Sequence, residues 1–521
     1  MFAKNFLDMK KWITGVPALL LFAFAAIAQQ TLPEEVVFKI KREAFQKSQI
    51  EALSFYMTDY AGPRLAASKL GERAEMLTKE KFIELGFANA RIEKAADFPK
   101  GGWDNLKTYA AMTAPYYCNF AALPKAWSGS TDGLVKGEVV LLQVKYESDI
   151  EKYKGTLAGK IVVMPETSVY EMRFTPFASR RTDEQLAQLA TDPRPQPSSP
   201  PRMPVRDAFA ELQLQIKRLL EDEKPAVVVS GSGAFNVPRS MSVAYIPGHA
   251  EPVAELVLPV EAHSRMVRLL NQNMTVAMEI EIKNEFYNYP VINNVMAEIP
   301  GSDPKLKDEV VLIGGHLDSW HGGTGAADNA SGCIVMMEAL RIIKEIGVKP
   351  RRTIRIALWG GEEQGLIGSR GYMQNLLYDA STNQPRKDYG RFALYLNMDN
   401  GSGKFRGIYL EENDMAFPFF QQWNKALETL GFGVLSPRKT GGTDHLSFDH
   451  IGLPAFQFIQ DELEYGRGYH TVMDTYERLV LTDLQYNAAV VACLALSAAM
   501  DNGKIPAKPL PANFSLQQRQ P

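Results

Sequence analysis

The sequence predicts an α/β protein: a mixed, mostly parallel sheet flanked by helices, with a second, β-rich region inserted into it. Strand-like and helix-like runs alternate over about residues 293–500, which is typical of parallel strands covered by helices. Residues 105–290 instead contain short β-branched runs bounded by turn residues. Residues 34–97 have a mostly helical pattern, and we expect them to pack on the C-terminal sheet because isolated helices cannot bury an apolar face.

The composition fits a soluble globular protein of two or three domains. The chain has 521 residues, of which 45% are hydrophobic and 22% charged, and its formal net charge is −3. Because basic residues do not exceed acidic ones, nucleic acid is not an expected partner. Only three cysteines occur, which excludes a disulfide framework, and we expect Cys333 and Cys493 to be buried apolar residues.

The N-terminus predicts export. Lysines at positions 4, 10 and 11 precede an apolar run over Trp12–Ala28 that ends in a small-x-small pattern. This pattern is typical of a secretory signal peptide, so residues 1–28 are expected to be removed near Ala28 and the mature protein to be secreted or periplasmic. A membrane anchor is the alternative, but the apolar core is short of the roughly 20 residues that a span needs. We therefore expect no stable membrane insertion.

The changes in character along the chain divide it into domains. Residues 29–104 and 291–502 are predicted to form one discontinuous main domain, with residues 105–290 as the insertion. The Pro- and Gln-rich residues 503–521 are expected to be a disordered tail. Within the insertion we predict strands that begin near Gly137, Gly159, Ala226 and Val276, a proline-rich loop over Asp192–Pro204, and a helix over Arg206–Glu223.

The elements of the main domain follow from their periodicity. Helices are predicted over Val37–Tyr60, Ala66–Leu85, Ser331–Ile346, Leu366–Leu377, Asp414–Leu430 and Thr482–Met500. Strands are predicted over Glu309–Gly315, Thr353–Trp359, Phe392–Met398 and Ala455–Ile459. Ligands of open α/β sheets bind at the carboxyl ends of the strands, so the residues that follow each strand are the candidates for chemistry.

Each of these strand ends is followed by nitrogen or oxygen donors. Such donors suit divalent ions of borderline or hard character. Five donors are too many for one catalytic zinc, which takes three protein ligands and a water, whereas one shared carboxylate would give two metals three ligands each. The eight candidate residues, five of which would bind metal, are His316, Asp318 and Asp328 after the first strand, Glu362 and Glu363 after the second, Asp399 after the third, and His470 and Asp474 after a later one.

The two adjacent glutamates are expected to have different roles. Side chains of neighbouring residues leave an extended chain in different directions, so one carboxylate can bind metal while the other faces the water as general base. A metal-binding imidazole usually donates its second N–H to an oxygen that orients it. We expect the carboxylates of Asp318 and Asp474 to do this for His316 and His470.

These motifs, His316-Leu-Asp318, Asp328-Asn329, Glu362-Glu363, Asn397-Met-Asp399 and His470-x-x-x-Asp474, resemble the co-catalytic zinc aminopeptidases related to glutamate carboxypeptidase and the transferrin receptor. The resemblance covers about residues 290–500, and the insertion more weakly resembles a protease-associated domain. It implies an aminopeptidase with two zinc ions per chain, a peptide substrate and, in many members, a cis Asp328–Asn329 peptide. It further implies that His316 and Asp399 bind one zinc, that Glu363 and His470 bind the other, that Asp328 binds both, and that Glu362 is the base.

Other candidates are weighed against simpler roles. His445, in a segment similar to one near the family's active site, would contact substrate or stabilise the oxyanion, although a structural role is equally open. We expect His321 to line a loop and Trp320 to pack. A carboxypeptidase or dipeptidase on the same site is the nearest alternative, and Arg438 is a candidate to hold a substrate carboxylate.

Two further alternatives belong to other classes. A non-catalytic binding protein on the peptidase scaffold is disfavoured because the donor set is intact. Cyclotransferase chemistry uses one zinc, which the five donors also disfavour. Whether manganese or cobalt replaces zinc, and whether the chain forms a homodimer, remain open at this point.

Overall fold

The computed structural model describes residues 31–165, 170–191, 204–288, 291–511 and 514–516, without the side chains of 204–209. The predicted signal peptide, almost all of the predicted proline-rich loop, and the last five residues of the predicted tail lie outside the described residues. The fold is built on two eight-stranded sheets, each formed by its own part of the chain.

The strands of the described residues are β1 (Ala88–Asp97), β2 (Gly102–Ala114), β3 (Cys118–Asn119), β4 (Leu123–Pro124), β5 (Val135–Leu141), β6 (Ile161–Val163), β7 (Val227–Gly231), β8 (Gly233–Ala234), β9 (Val237–Pro238), β10 (Glu255–Leu258), β11 (Ala277–Tyr287), β12 (Val291–Ile299), β13 (Val310–His316), β14 (Thr353–Trp359), β15 (Tyr378–Asp379), β16 (Gln384–Pro385), β17 (Phe392–Asn397), β18 (Phe405–Tyr409), β19 (Val434–Ser436) and β20 (Ala455–Gln460).

The α-helices are α1 (Glu34–Gln46), α2 (Ile50–Phe55), α3 (Lys69–Glu84), α4 (Asp183–Thr191), α5 (Pro204–Glu223), α6 (Val260–Asn271), α7 (Ser331–Glu345), α8 (Ile367–Tyr372), α9 (Phe417–Trp423), α10 (His445–Asp449), α11 (Tyr465–Gly468) and α12 (Leu481–Met500). Short π-helical turns extend α2 and α8 and precede α7, and 3-10 turns flank α9.

The main sheet has the strand order β1-β12-β14-β13-β17-β20-β18-β19. Its centre, from β14 through β13 and β17 to β20, is parallel, and antiparallel pairs flank it on both sides. The predicted mixed α/β class is confirmed. Because the four central strands run in one direction, their carboxyl ends lie side by side along one edge of the sheet.

The inserted sheet occupies the chain between β1 and β12, with the strand order β3-β2-β11-β5-β6-β7-β10-β4. Strands β2 and β11, which begin and end this region, pair antiparallel along almost their full length. The chain therefore leaves the main sheet along β2 and returns to it along β11, and these two strands lie side by side. The identification of this region as a protease-associated domain remains a prediction.

Helix α12 lies in the core of the main domain. It packs against α1 and α7, and almost every residue from Leu484 to Ala499 is buried. By length and composition it could cross a membrane, but 89% of its most apolar window is buried inside the protein. As expected, α1 and α2 bury Ile40 and Ile50 in the same core, and Cys333 and Cys493 are fully buried there.

The predictions about the two ends of the main domain have different outcomes. Residues 34–97 are mostly helical, as expected, but their last part, β1, is an unpredicted edge strand of the main sheet that pairs antiparallel with β12. Charged residues on this edge strand hide the alternation that would mark it. The tail is not disordered over 503–511 and 514–516: Ile505 is 2% exposed, Leu516 is 4% exposed, and the Lys508 N–H donates to the Gly452 carbonyl over 2.7 Å.

Candidate active site

The five predicted metal ligands come together at the carboxyl edge of the main sheet. His316 is the last residue of β13, and Asp399 follows β17 by two residues. Asp328 lies in the π-helical turn that precedes α7. Glu363 follows β14 after a turn through Gly361, whose φ of 66° is in the left-handed region that favours glycine.

The donor atoms form two groups that share one carboxylate. His316 Nε2 lies 3.3 Å from Asp328 Oδ1 and 3.3 Å from Asp399 Oδ1. His470 Nε2 lies 3.3 Å from Asp328 Oδ2 and 2.9 Å from Glu363 Oε2. Asp328 thus offers one oxygen to each histidine, and its peptide bond to Asn329 is cis, as the resemblance implied.

The hydrogen bonds of His316 show that this site fits a cation. Nδ1 lies 2.9 Å from the backbone carbonyl of Asp318, which can only accept, so Nδ1 carries a proton and Nε2 is the ring atom left for a ligand. Nε2 faces two carboxylate oxygens, those of Asp328 and Asp399. Buried atoms without a hydrogen-bond partner are His316 Nε2, His470 Nε2, Asp328 Oδ2 and Glu363 Oε1. Ligands about 2.0–2.1 Å from a tetrahedral zinc lie about 3.3 Å apart, so both groups fit zinc.

The pKa values of Glu363 and His470 also indicate that the site favours a bound cation. Burial raises the pKa of Glu363 to about 8, with Asp328 adding to the effect and His470 opposing it. Burial lowers the pKa of His470, but the carboxylates of Asp328 and Glu363 outweigh it and raise the value to about 9. Glu363 therefore resists ionising and the His470 imidazole retains a proton, and a bound divalent cation would reverse both tendencies.

Glu362 lies beside the two groups and belongs to neither. Its Oε2 is 4.0 Å from His316 Nε2, and its side chain is 9% exposed. Burial raises its pKa well above the usual range, and the charges of Asp399 and Asp444 add to this while His316 opposes it. A carboxylate that is close to the donor groups, and not part of either, is placed to exchange a proton with a water molecule.

Asp318 and Asp474 hold backbone segments, which corrects the prediction that their carboxylates orient the histidines. The Asp318 carboxylate accepts the backbone N–H groups of Glu362 and Glu363 over 3.0 and 3.2 Å, and its Oδ1 is 3.6 Å from His316 Nδ1. The Asp474 carboxylate accepts the N–H groups of Ala327 and Asp328 over 2.6 and 3.0 Å. The two tight turns leave these N–H groups without backbone partners, and the short aspartate side chains satisfy them.

His445 does not face the donor groups. Its side chain is fully buried, and Nε2 is directed at Glu411 Oε1 over 3.5 Å. This position favours the structural role for His445, and its contact with substrate stays a prediction. Its neighbour Asp444 is also fully buried, which raises the pKa of that carboxyl to about 7, and its charge acts on Glu362.

Trp320 and His321 have roles that their sequence context did not settle. Trp320 Nε1 donates to Glu363 Oε2 over 2.7 Å, and the Trp320 ring centroid is 5.6 Å from that of His470. Trp320 therefore contacts two of the predicted metal ligands directly. His321 Nε2 lies 2.8 Å from the carbonyl of Pro124 in the inserted sheet. His321 is therefore occupied elsewhere and is not a sixth ligand.

No sequence pattern indicates the role of Arg64. Its side chain is 1% exposed, and its guanidinium donates to the carbonyls of Leu317 and Gly325 over 2.6 and 2.9 Å. It thereby holds the loop between His316 and Asp328 from inside. Some 250 residues of chain separate it from this loop, so local patterns could not reveal the contact.

The sequence profile described as "Peptidase family M28" matches residues 294–495, the segment that contains all five donors and Glu362. Residues 294–495 belong to peptidase family M28. Human carboxypeptidase Q is 29% identical over 447 residues, covering 85% of this chain and 84% of the relative. The likeness thus extends beyond the M28 segment to most of the chain.

Two solved structures share the fold of this chain. A peptidase M28 precursor from Shewanella amazonensis SB2B superposes with a TM-score of 0.65 at 22% identity, covering 92% of this chain and 99% of that one. BSAP, described as a zinc aminopeptidase from Bacillus subtilis, gives a TM-score of 0.53 at 17% identity, covering 88% and 98%. Both coverages include most of the inserted region, so the two-sheet architecture is not peculiar to this chain.

Proposed function

We propose that this protein is an exported exopeptidase that uses two zinc ions. We further propose that it acts as an aminopeptidase. The observation that supports this most directly is the pair of donor groups that share Asp328, with Glu362 beside them. Three donors in each group leave room for a water and a substrate oxygen, as catalytic zinc sites require.

The residues of the chain divide the chemistry among them. Bound zinc would polarise the scissile carbonyl and lower the pKa of a water. Glu362 takes a proton from the attacking water and passes it to the leaving amine. The Trp320 N–H fixes one oxygen of Glu363, and the carboxylate of Asp474 holds the backbone of Asp328. These contacts keep the donors in place before substrate arrives.

The charge around the site favours an N-terminal substrate end. Seven carboxylates lie in or directly beside the donor groups. With zinc bound and all seven ionised, two zinc ions and the guanidinium groups of Arg64 and Arg370 supply six positive charges. A surplus of negative charge attracts an α-ammonium group and repels an α-carboxylate. The carboxylates are those of Asp318, Asp328, Glu362, Glu363, Asp399, Asp444 and Asp474.

A carboxypeptidase or dipeptidase is the second candidate. It is favoured by the relatives named carboxypeptidase Q, whose likeness covers most of both chains. A substrate carboxylate would then need a basic partner near the cleft. Arg239 is one such residue, because its guanidinium lies 4.8 Å from the ring of Tyr469, next to His470.

Peptides blocked at one end distinguish the two candidates. We expect purified protein to cleave C-terminally amidated peptides and to spare N-acetylated ones. The opposite preference would establish the carboxypeptidase, and cleavage of free dipeptides alone would establish the dipeptidase. Absence both of bound metal and of hydrolysis would instead favour a non-catalytic binding protein.

Export and the access role of the insertion are part of the same proposal. The basic and apolar N-terminus supports cleavage near Ala28, and N-terminal sequencing of the protein recovered from the medium or periplasm tests it. The inserted sheet contacts the loop after His316 through the His321–Pro124 hydrogen bond, so it lies next to the cleft. We expect it to restrict the site to peptides with a free end.

A further inference from the structure

The loop that contains His470 is contacted by the inserted region as well as by the main domain. The Ser240 N–H donates to the carbonyl of His470 over 2.7 Å. The preceding residue, Arg239, forms an isolated antiparallel bridge with Thr471. Both residues directly follow β9 of the inserted region, so this short two-stranded contact joins the two parts of the protein at a metal-binding residue.

A stack of side chains reinforces this backbone contact. The Arg239 guanidinium lies 4.8 Å from the centroid of the Tyr469 ring. The Tyr469 ring in turn stacks on the His470 imidazole, with centroids 3.6 Å apart and planes inclined by 24°. Arg239 therefore acts on the imidazole through Tyr469, and it restricts the ring to one orientation.

The backbone of His470 needs such support. Its φ is 59°, in the left-handed region that residues with a Cβ seldom adopt. Residues in this region persist only where the surrounding structure fixes them. The hydrogen bond from the Ser240 N–H is made to the carbonyl of this same residue. It stabilises the conformation that directs Nε2 toward Asp328 and Glu363.

A second contact places the inserted region against the same loop. Arg467, three residues before His470, has its guanidinium 4.9 Å from the ring of Phe177 and 5.4 Å from that of Phe235. Both phenylalanines belong to the region between β1 and β12 and pack edge to face against each other. Contacts on either side of His470 thus come from the inserted region.

We propose that Arg239 and Ser240 are positioning residues for the zinc site formed by Asp328, Glu363 and His470. They hold the His470 imidazole in its binding orientation, so the affinity of this one site depends on the contact between the inserted region and the main domain. The site formed with His316 and Asp399 is independent of them. This inference rests on the proposed two-zinc function.

The test is a calorimetric titration of Zn²⁺ into the metal-free, full-length mature protein. Ser240→Pro removes the backbone donor, and we expect one of the two ions to bind about 10–100-fold more weakly while the other is unchanged. Ser240→Ala is the matched control, because it keeps the N–H and its hydroxyl has no hydrogen-bond partner. Its two affinities should equal those of the wild type.

The side-chain stack is tested independently of the proline substitution. Arg239→Ala should weaken the same ion by roughly tenfold, and Arg239→Lys should restore part of the affinity because an ammonium also interacts with the ring face. Arg268→Ala is the control: it removes an exposed arginine on α6 of the inserted region. In a Glu363→Gln background, which already lacks this zinc site, Arg239→Ala should have no further effect on the remaining ion.

The outcomes separate the two proposals. If the wild type binds two ions and Arg239→Ala binds both with unchanged affinity, the positioning role is overturned while the two-zinc function stands. If the wild type binds fewer than two ions, the two-zinc function itself fails. If Ser240→Pro does not fold, Arg239→Ala and its lysine variant decide the question.

Discussion

One carboxylate oxygen of Asp328 lies next to His316 and the other lies next to His470. This one side chain therefore determines the spacing of the two donor groups. The residues around it fall into three kinds: donors, a carboxylate outside the donor groups, and acids that hold backbone N–H groups. The sequence distinguishes the first kind well, because each donor follows a strand. It does not distinguish the other two, since both are acids within a few residues of a donor.

The adjacent glutamates allow a direct test of their different roles. Glu362→Gln should keep both zinc ions and lower kcat about 100- to 10,000-fold, because the amide cannot accept the proton of the water. Glu363→Gln, a control of identical chemistry one residue away, should lose zinc from the His470 site. Metal analysis by mass spectrometry and turnover of an unblocked peptide give both readouts. Near-normal kcat in metal-loaded Glu362→Gln would disprove its role as base.

Glu75 on α3 gives a prediction for pH dependence. Burial raises the pKa of its carboxyl to about 7, against an ordinary value of 4.5, although Asn293 donates a hydrogen bond to it. Between these values the folded protein retains a proton that the unfolded chain has lost. The contribution of Glu75 to the free energy of unfolding therefore falls as pH rises from about 4.5 to 7, by up to about 3 kcal/mol.

Urea unfolding of the wild type and of Glu75→Gln at pH 4.5 and pH 8 measures this contribution. The amide is always neutral and still accepts from Asn293, so the variant should match the wild type at pH 4.5 and exceed it at pH 8. Glu80→Gln, at an exposed position of the same helix, is the control. An equal difference between wild type and Glu75→Gln at both pH values would contradict the prediction.

At the scale of elements, the sequence predicts best where one face or both faces of an element are buried. The strands β13, β14, β17 and β20 were predicted to within one residue at each end, because continuous apolar runs end in polar loops. The charged edge strand β1 escaped prediction, since its pairing with β12 is made by the backbone. The segment 503–511 escaped for a related reason: isolated apolar residues such as Ile505 pack on a surface that only the folded protein presents.

Helix α12 shows how far burial of one element supports the main domain. Leu494 is fully buried in its middle, so Leu494→Ala should lower the free energy of unfolding by about 2–5 kcal/mol through lost transfer energy and a residual cavity. Leu106→Ala, at a leucine that is 53% exposed on β2, should change it by less than about 1 kcal/mol. Denaturant unfolding compares the two, and similar losses would mean that α12 is not the central element of the core.

At the scale of the whole molecule, the site is assembled from three distant parts of the chain. Arg64 precedes β1, Ser240 belongs to the inserted region, and the donors follow strands of the main sheet. Arg64 contacts the loop between His316 and Asp328, and Ser240 contacts the loop that contains His470. Sequence patterns predict the donors but not these supports, because a backbone carbonyl or N–H that receives a distant contact has no sequence signature.

The concentration of buried acids at this junction predicts that zinc stabilises the whole fold. Without a cation, Asp328 and Glu363 and their neighbours place like charges and unpaired atoms in the interior, whereas a ligand that binds only the folded state adds about 2.7 kcal/mol at a concentration 100 times its Kd. Chelation should therefore abolish hydrolysis and lower Tm by several degrees, and added Zn²⁺ should restore both. The double variant Asp399→Asn, Glu363→Gln lacks a donor in each group, so its Tm should not respond to Zn²⁺. Equal Tm for metal-free and zinc-loaded wild type would show that the donor groups do not hold zinc in the folded protein.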